Sequence, residues 1–575
     1  MLLDKGADIN STNSRKDTVL MMAFESGNFT LVMELISKGA GITSLNADGD
    51  TALMWASYNG LLPMLEVLVD KGAGIDSKNE AGQTALMMAS GRNCPSMVEA
   101  LIDKGASINL ANMYGRTALM MVSDASGDEH DKVVSMLLAK GAQIDAKDPD
   151  GDTALLFATS RGDLGVVRLL LEKGADINVV GGFNGFTPLT SASFKGHWGV
   201  VELLLEKGAD MDAATKDGGN ALMIASKWGR CNVVKGLLAK GADRDKQNSN
   251  GDTALTLASV QGHPNVVKEL VSSQAHSKTD HVNRDGHTAL ILASMHGHVK
   301  VVEILLDSAA DINFENRNGM TALIIASSRG HCGVVEALTK RGALVDFPAK
   351  PGYRALVSAS GMGHHEVVEL LLKAGAGIDI PGKVGLTALM LASLHGHLEV
   401  IGVLLRNSAC VDLQTQDGTT ALMCASEKGH REVVEALVGK GARIDRQRKD
   451  GTTALMCASE KGHREVVEAL VGKGARIDRQ RKDGATGLMF ASLRGHREVV
   501  EALMAKGASV DLQRDTGATA LMVASEKGHR EVVEVLVAKG ASVDLLARNG
   551  VSALMSAERN GHKDVVAVLK AGGKA

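Results

Sequence analysis

The chain has 575 residues, a formal net charge of −4, 23% charged residues and 3% aromatics. This near-neutral balance argues against a generic electrostatic binder of nucleic acid, and no apolar run approaches the ~20 residues that span a bilayer. The opening MLLDKGADIN has neither the basic nor the long apolar region of a secretory signal.

By length alone, about three or four globular domains are expected. An internal repeat replaces that expectation, because a solenoid grows by adding units rather than by enlarging one core. Seventeen leucines, from Leu20 and Leu53 to Leu521 and Leu554, each open a short helical segment, and most are 33 residues apart. The chain begins with Met1-Leu2-Leu3-Asp4-Lys5-Gly6-Ala7, which matches the close of a second helix. We therefore read residues 1–14 as a partial repeat and expect the sequence to be a fragment of a longer protein. Residues 15–275 are read as the N-terminal part of the array and residues 285–575 as its C-terminal part.

The irregular intervals locate insertions, which in repeat proteins fall in loops. From Leu119 to Leu155 the interval is 36, with the extra residues in SDASGDEHDK between the two helices. From Leu155 to Leu189 it is 34, the extra residue lying in the finger VVGGFNG. From Leu255 to Leu290 it is 35, and SSQAHSKTDHV replaces the usual Lys-Gly-Ala turn. That stretch lacks the glycine stop, and Val282 is its one apolar anchor. Residues 276–284 are accordingly expected to form an irregular finger that acts as a flexible joint, with ordinary repeat drift as the alternative. In FPAKPGYRAL, Pro348 and Pro351 stiffen the finger, and Arg354 stands where a capping Thr is usual.

Further on, the 33 residues DGTTALMCASEKGHREVVEALVGKGARIDRQRK occur twice without change, at 417–449 and 450–482. This tandem copy exposes the unit. Thr420 can cap the free amides of a helix over ALMCASEK, and Gly429 supplies the left-handed conformation that ends it. His430-Arg431-Glu432 opens a second helix, with Glu432 and Glu435 near its positive end. Val433, Val434, Leu437 and Val438 form its core-facing stripe, and Gly441 is the stop. The following ARIDRQRKDG has turn chemistry. The unit is helix, turn, helix and a hairpin-like finger.

This pattern resembles the ankyrin repeat, whose hallmark is a Thr-Pro-Leu-His helix start on a 33-residue period. The Gly-His, Val-Val, Leu and Lys-Gly-Ala-x-Ile-Asp elements fall where that family has them. Two departures are systematic. The Pro survives only as Pro188, and the His never appears, Met holding its place in 11 of 17 starts, as at Met54 and Met423. In the family that His joins hydrogen bonds between neighbouring repeats, so its loss predicts stacking held more by apolar contact with thioethers. The resemblance implies an all-α fold, an α-solenoid of about 17 helix-turn-helix repeats with hairpin-like fingers.

Residues that could carry chemistry recur as ladders. Gly-His occurs eleven times from His197 to His562, but a metal needs ligands converging to about 2 Å, and a ladder spaces them a repeat apart. These imidazoles are expected to bond backbone in the turn between the helices. No nucleophile elbow, phosphate loop or H-E-x-x-H is present, and we expect neither an enzyme nor a cofactor nor a metal. The cysteines, Cys94, Cys231, Cys332, Cys410, Cys424 and Cys457, form no C-x-x-C pair. Cys424 and Cys457 should lie about 8–10 Å apart, one helix-packing distance, beyond disulfide reach. A reducing, cytoplasmic location is the simplest reading, a nuclear one remaining open.

Two patches stand out on the fingers and first helices, where the resemblance places partner recognition. One is aromatic: Phe183 and Phe186 flank a finger turn, while Phe194 and Trp228 close first helices, and Tyr58 holds the matching place nearer the N-terminus. Local packing between fingers is the alternative to binding. The other is basic: Arg446, Arg448 and Lys449 recur as Arg479, Arg481 and Lys482, suited to an acidic segment or phosphate, or simply solvated. The function expected is a monomeric, non-catalytic scaffold or adaptor that binds one or more proteins on the concave surface of fingers and first helices. The alternatives are the targeting region of a larger enzyme or membrane protein, and a binder of an acidic or phosphorylated ligand through the basic fingers.

Overall fold

At sixteen of the seventeen repeat starts a Thr, Ser or Asn side chain accepts from a free amide in the first turn of the helix. In the duplicated copies Thr420 accepts from the Met423 amide at 3.3 Å and Thr453 from that of Met456 at 3.4 Å. The computed structural model describes residues 7–125, 127, 129–272, 279–347, 349 and 352–572. Among these residues 34 α-helices follow one another, two for each leucine start, and the only β features are the isolated bridges Thr12–Thr18 and Gly181–Phe186. The expected all-α solenoid is what the chain forms.

The chain divides into two compact units, Met1–Arg284 and Asp285–Ala575. The first carries helix pairs from Val19–Glu25 to Pro264–Val271, and the second from Ala289–Met295 to Lys563–Gly572. Within each unit, first helices pack on first helices and second helices on second helices. The duplicated copies show how. Helix Ala421–Lys428 ends on left-handed Gly429, and helix Arg431–Gly439 buries Val433, Val434 and Leu437. Met423 and Met456 are both 1% exposed, so the thioethers fill the core where the family has its His.

Apolar contact is not the only tie between neighbouring repeats, and here the structure corrects where the Gly-His ladder bonds. The Gly-His imidazoles do not bond within their own turn. In ten of the eleven, Nε2 donates across to the preceding repeat, to a carbonyl near the end of its first helix. His430 reaches Leu394 at 3.1 Å, His463 reaches Glu427 at 3.0 Å and His496 reaches Glu460 at 2.9 Å. A second tie joins the amide after a Gly-Ala to the Asp carboxylate of the preceding repeat, as from Arg443 N to Asp412 and from Arg476 N to Asp445, each 3.0 Å. A third joins finger backbones, as Lys449 N to Asp417 O at 2.8 Å and Lys482 N to Asp450 O at 3.0 Å. Hydrogen bonding removed from the helix start is supplied at three other places.

The irregular segments behave individually. Ser126 and Asp128 of the first insertion, residues 276–278 of the expected joint, and Pro348 and Pro351 lie outside the described residues, as do residues 1–6 of the partial repeat. In the rest of the finger 279–284, Thr279 is buried while Val282, the expected anchor, is exposed, and Arg284 N bonds Asn250 O at 2.9 Å. Arg354 makes no cap for its helix. Its guanidinium instead donates to the carbonyls of Asp346 at 2.8 Å and Pro381 at 3.0 Å, bracing the fingers.

Candidate interaction surface

The aromatic patch is assembled by a finger and two consecutive first helices. Gly181 N bonds Phe186 O at 3.0 Å, which closes the finger and sets Phe186 beside helix Pro188–Lys195. That helix carries Phe194, whose ring lies 5.8 Å from Phe186 and 4.9 Å from Trp228, the latter edge-on at 87°. Such pairs contribute about 0.5–1.5 kcal/mol beyond burial. Arg230 donates from Nε to the Phe194 carbonyl at 2.9 Å, and Lys195 Nζ stands 5.2 Å from the Phe194 ring. Trp228 stays 49% exposed. Phe183 does not join this group; it is 87% exposed with Lys216 Nζ 5.6 Å from its ring. Tyr58 is exposed in another repeat, beneath the Arg92 guanidinium at 4.6 Å.

The basic fingers are less free than their charges imply. Gln414, Gln447 and Gln480 each donate to a carbonyl of their own finger and to one of the next, Gln447 to Gly451 O at 2.9 Å and Gln480 O at 3.2 Å. Arg446 and Arg479 donate to the side-chain oxygens of Gln414 and Gln447 at 2.9 and 3.0 Å. Arg448 pairs with Glu427 at 3.4 Å. Arg481 grips Asp483 through Nε at 2.8 Å and holds that carboxyl down at about 2. Lys449 and Lys482 are the exposed cations of the set. The four arginines therefore brace fingers, and the two lysines carry the accessible charge.

A third feature escaped the sequence analysis. Where Trp55, Tyr58, Met88 and Met121 face the fingers of the first unit, a cleft of about 550 Å³ opens, with Asp48, Asp50 and Glu80 on its lining. The signal was present: Trp55 stands two residues after Leu53, the helix position also held by Met88, Met121 and Phe157. Spacing alone did not reveal that this position looks onto the fingers.

All six cysteines are free thiols. Cys424 and Cys457 sit on the same helix position, buried 4% exposed beneath the fingers, and burial pushes their thiols up to about 12 and about 11. Protonated and covered, both should resist a thiol reagent at pH 8 in the folded chain, whereas exposed Cys410 should react promptly. Mass spectrometry of the labelled chain checks this. Among the described residues, no group of three or more His, Cys, Asp or Glu could hold a metal ion.

Helix pairs stacked in register, with fingers and first helices sharing one face, define an α-solenoid of helix-turn-helix repeats. The family model for ankyrin repeats (3 copies) matches residues 1–79, 71–148, 124–215, 222–316, 308–382, 356–448, 389–481, 436–514 and 488–574. The chain belongs to the ankyrin repeat family. Repeats of this kind are generally protein–protein interaction modules, and proteins built from them are typically not enzymes. No curated relative matches the chain. Among the described residues, no helix is long and apolar enough to cross a membrane.

Proposed function

We propose that the chain is a non-catalytic scaffold that holds partner proteins on the face formed by its fingers and first helices. The observation that carries this reading is the aromatic group of Phe186, Phe194 and Trp228, packed edge to ring yet left open to solvent on Trp228. Half-exposed aromatic rings held rigid by their neighbours are the anchors protein interfaces bury at their centres, and an isolated fold gains nothing by leaving them wet. Phe183, on the same finger, stands apart from this ring group, exposed beside Lys216. The six free thiols, two of them buried, support work in a reducing compartment.

Affinity capture from native lysate, wild type beside a Phe183→Ala, Phe194→Ala, Trp228→Ala variant, tests the anchor. We expect a partner retained by the wild type and lost by the variant, with unchanged helical circular dichroism. Identical partners on both would show the aromatic group to be packing between repeats.

A further inference from the structure

Three repeats carry an aromatic ring two residues after the leading leucine, Trp55, Phe157 and Phe490. In two of them the chain covers the ring with its own arginine. The Arg116 guanidinium lies 4.4 Å from the Phe157 centroid and pairs with Asp124 at 3.1 Å. Arg481 lies 5.2 Å from the Phe490 centroid and is held by Asp483. Both are the same arrangement: a guanidinium on an aromatic face with a carboxylate at its edge.

Trp55 has the ring and the carboxylates without the cation. Arg116 stands one residue before capping Thr117, in the repeat preceding Phe157; the matching place before Trp55 is Asp17, ahead of Thr18. Arg481 stands five residues before capping Thr486; the matching place is Asn46, five before Thr51. Asn46 donates to Asp17 at 3.1 Å, so neither position offers a positive charge. Among the described residues, no Lys or Arg lies over the Trp55 ring.

What lies beside the ring is the cleft of about 550 Å³. Asp48, Asp50 and Glu80 line it on the finger side, and Met88 and Met121 on the helix side. The indole N–H of Trp55 is buried without a hydrogen-bond partner, which is costly unless an acceptor arrives. Burial pushes the Asp50 carboxyl above its ordinary value against a hydrogen bond from Asn79, and Asp48 and Asp17 push it further. Arg92, over Tyr58, is the one cation of the lining.

We propose that this cleft receives an arginine or lysine side chain from an extended segment of a partner protein. The aliphatic stem lies along Met88 and Met121, and the cation sits between the Trp55 ring and the carboxylates of Asp48, Asp50 and Glu80. The occupant thus completes at Trp55 what Arg116 and Arg481 complete elsewhere in the chain. The inference rests on the finger and first-helix face being a protein-binding surface, and it names the charge of the partner. Three carboxylates on the lining exclude an acidic segment.

The test selects a displayed library of random heptapeptides on the immobilised full chain and discards sequences that bind a Trp55→Ala variant equally well. The Trp55-dependent sequences should share an Arg or Lys at one position. They should bind an Asp48→Asn, Glu80→Gln variant about tenfold more weakly, and that surface change leaves the helices intact by circular dichroism. The inference is overturned if the Trp55-dependent sequences are uncharged or acidic, if none depends on Trp55, or if the double variant binds unchanged. Should it fail while partner capture through Phe194 and Trp228 holds, the scaffold reading stands and the cleft assignment alone is lost.

Discussion

Leu437→Ala and Leu470→Ala are each expected to destabilise the C-terminal unit by about 3 kcal/mol, read as a lower urea midpoint. Both side chains are fully buried at the same place in two copies of one 33-residue sequence. Helix propensity, capping and apolar pattern are therefore identical in the two variants and cancel on comparison. What differs is the neighbours. The copy at 417–449 follows the repeat with helices Ala388–His395 and Leu398–Arg406, whereas the copy at 450–482 precedes the one with Gly487–Arg494 and Arg497–Ala505. Because an array's stability is a sum of intrinsic and nearest-neighbour terms, the two losses should agree within about 1 kcal/mol. A loss below about 1 kcal/mol at either site would contradict a close-packed stripe. A large difference between them would assign that energy to the flanking repeats.

The second large effect joins a glycine to a histidine one repeat away. Gly429 has φ +81°, and a Cβ there would come within 2.6 Å of the His463 ring. Gly429→Ala is thus penalised twice, by about 1–2 kcal/mol for a left-handed alanine and by displacing an imidazole whose bond to Glu427 O contributes about 1 kcal/mol. His463→Ala removes the clash and the bond but leaves the backbone strain. In a double-mutant cycle, Gly429→Ala should therefore cost less in the His463→Ala background, leaving the left-handed penalty alone. Additive losses would mean that the ring does not occupy the space the glycine leaves. The same Gly and His recur at Gly462 with His496, which provides a repeat of the experiment within one chain.

The unit was legible because its rules act over a few residues. Thr420 caps, Gly429 stops, and Val433, Val434 and Leu437 face inward for reasons contained in one 33-residue stretch, so the predicted ALMCASEK helix is the observed Ala421–Lys428. The aromatic group was partly legible, since Phe194 and Trp228 close consecutive first helices. Phe183 was misplaced with them because the turn of its own finger carries it toward Lys216 instead. The arginines of the basic fingers were read as charge on a surface, yet three of the four bond a residue at least 21 positions away.

The sequence by itself determined the repeat, its period, the two helices with their caps, and the family. These follow from local chemistry repeated along the chain. Only the tertiary structure decided which carbonyl each imidazole reaches, which arginines are engaged and where the Trp55 cleft opens. Those features join atoms from neighbouring repeats, about one period apart along the chain, and exist only once stacking brings them within hydrogen-bond or ring-contact distance.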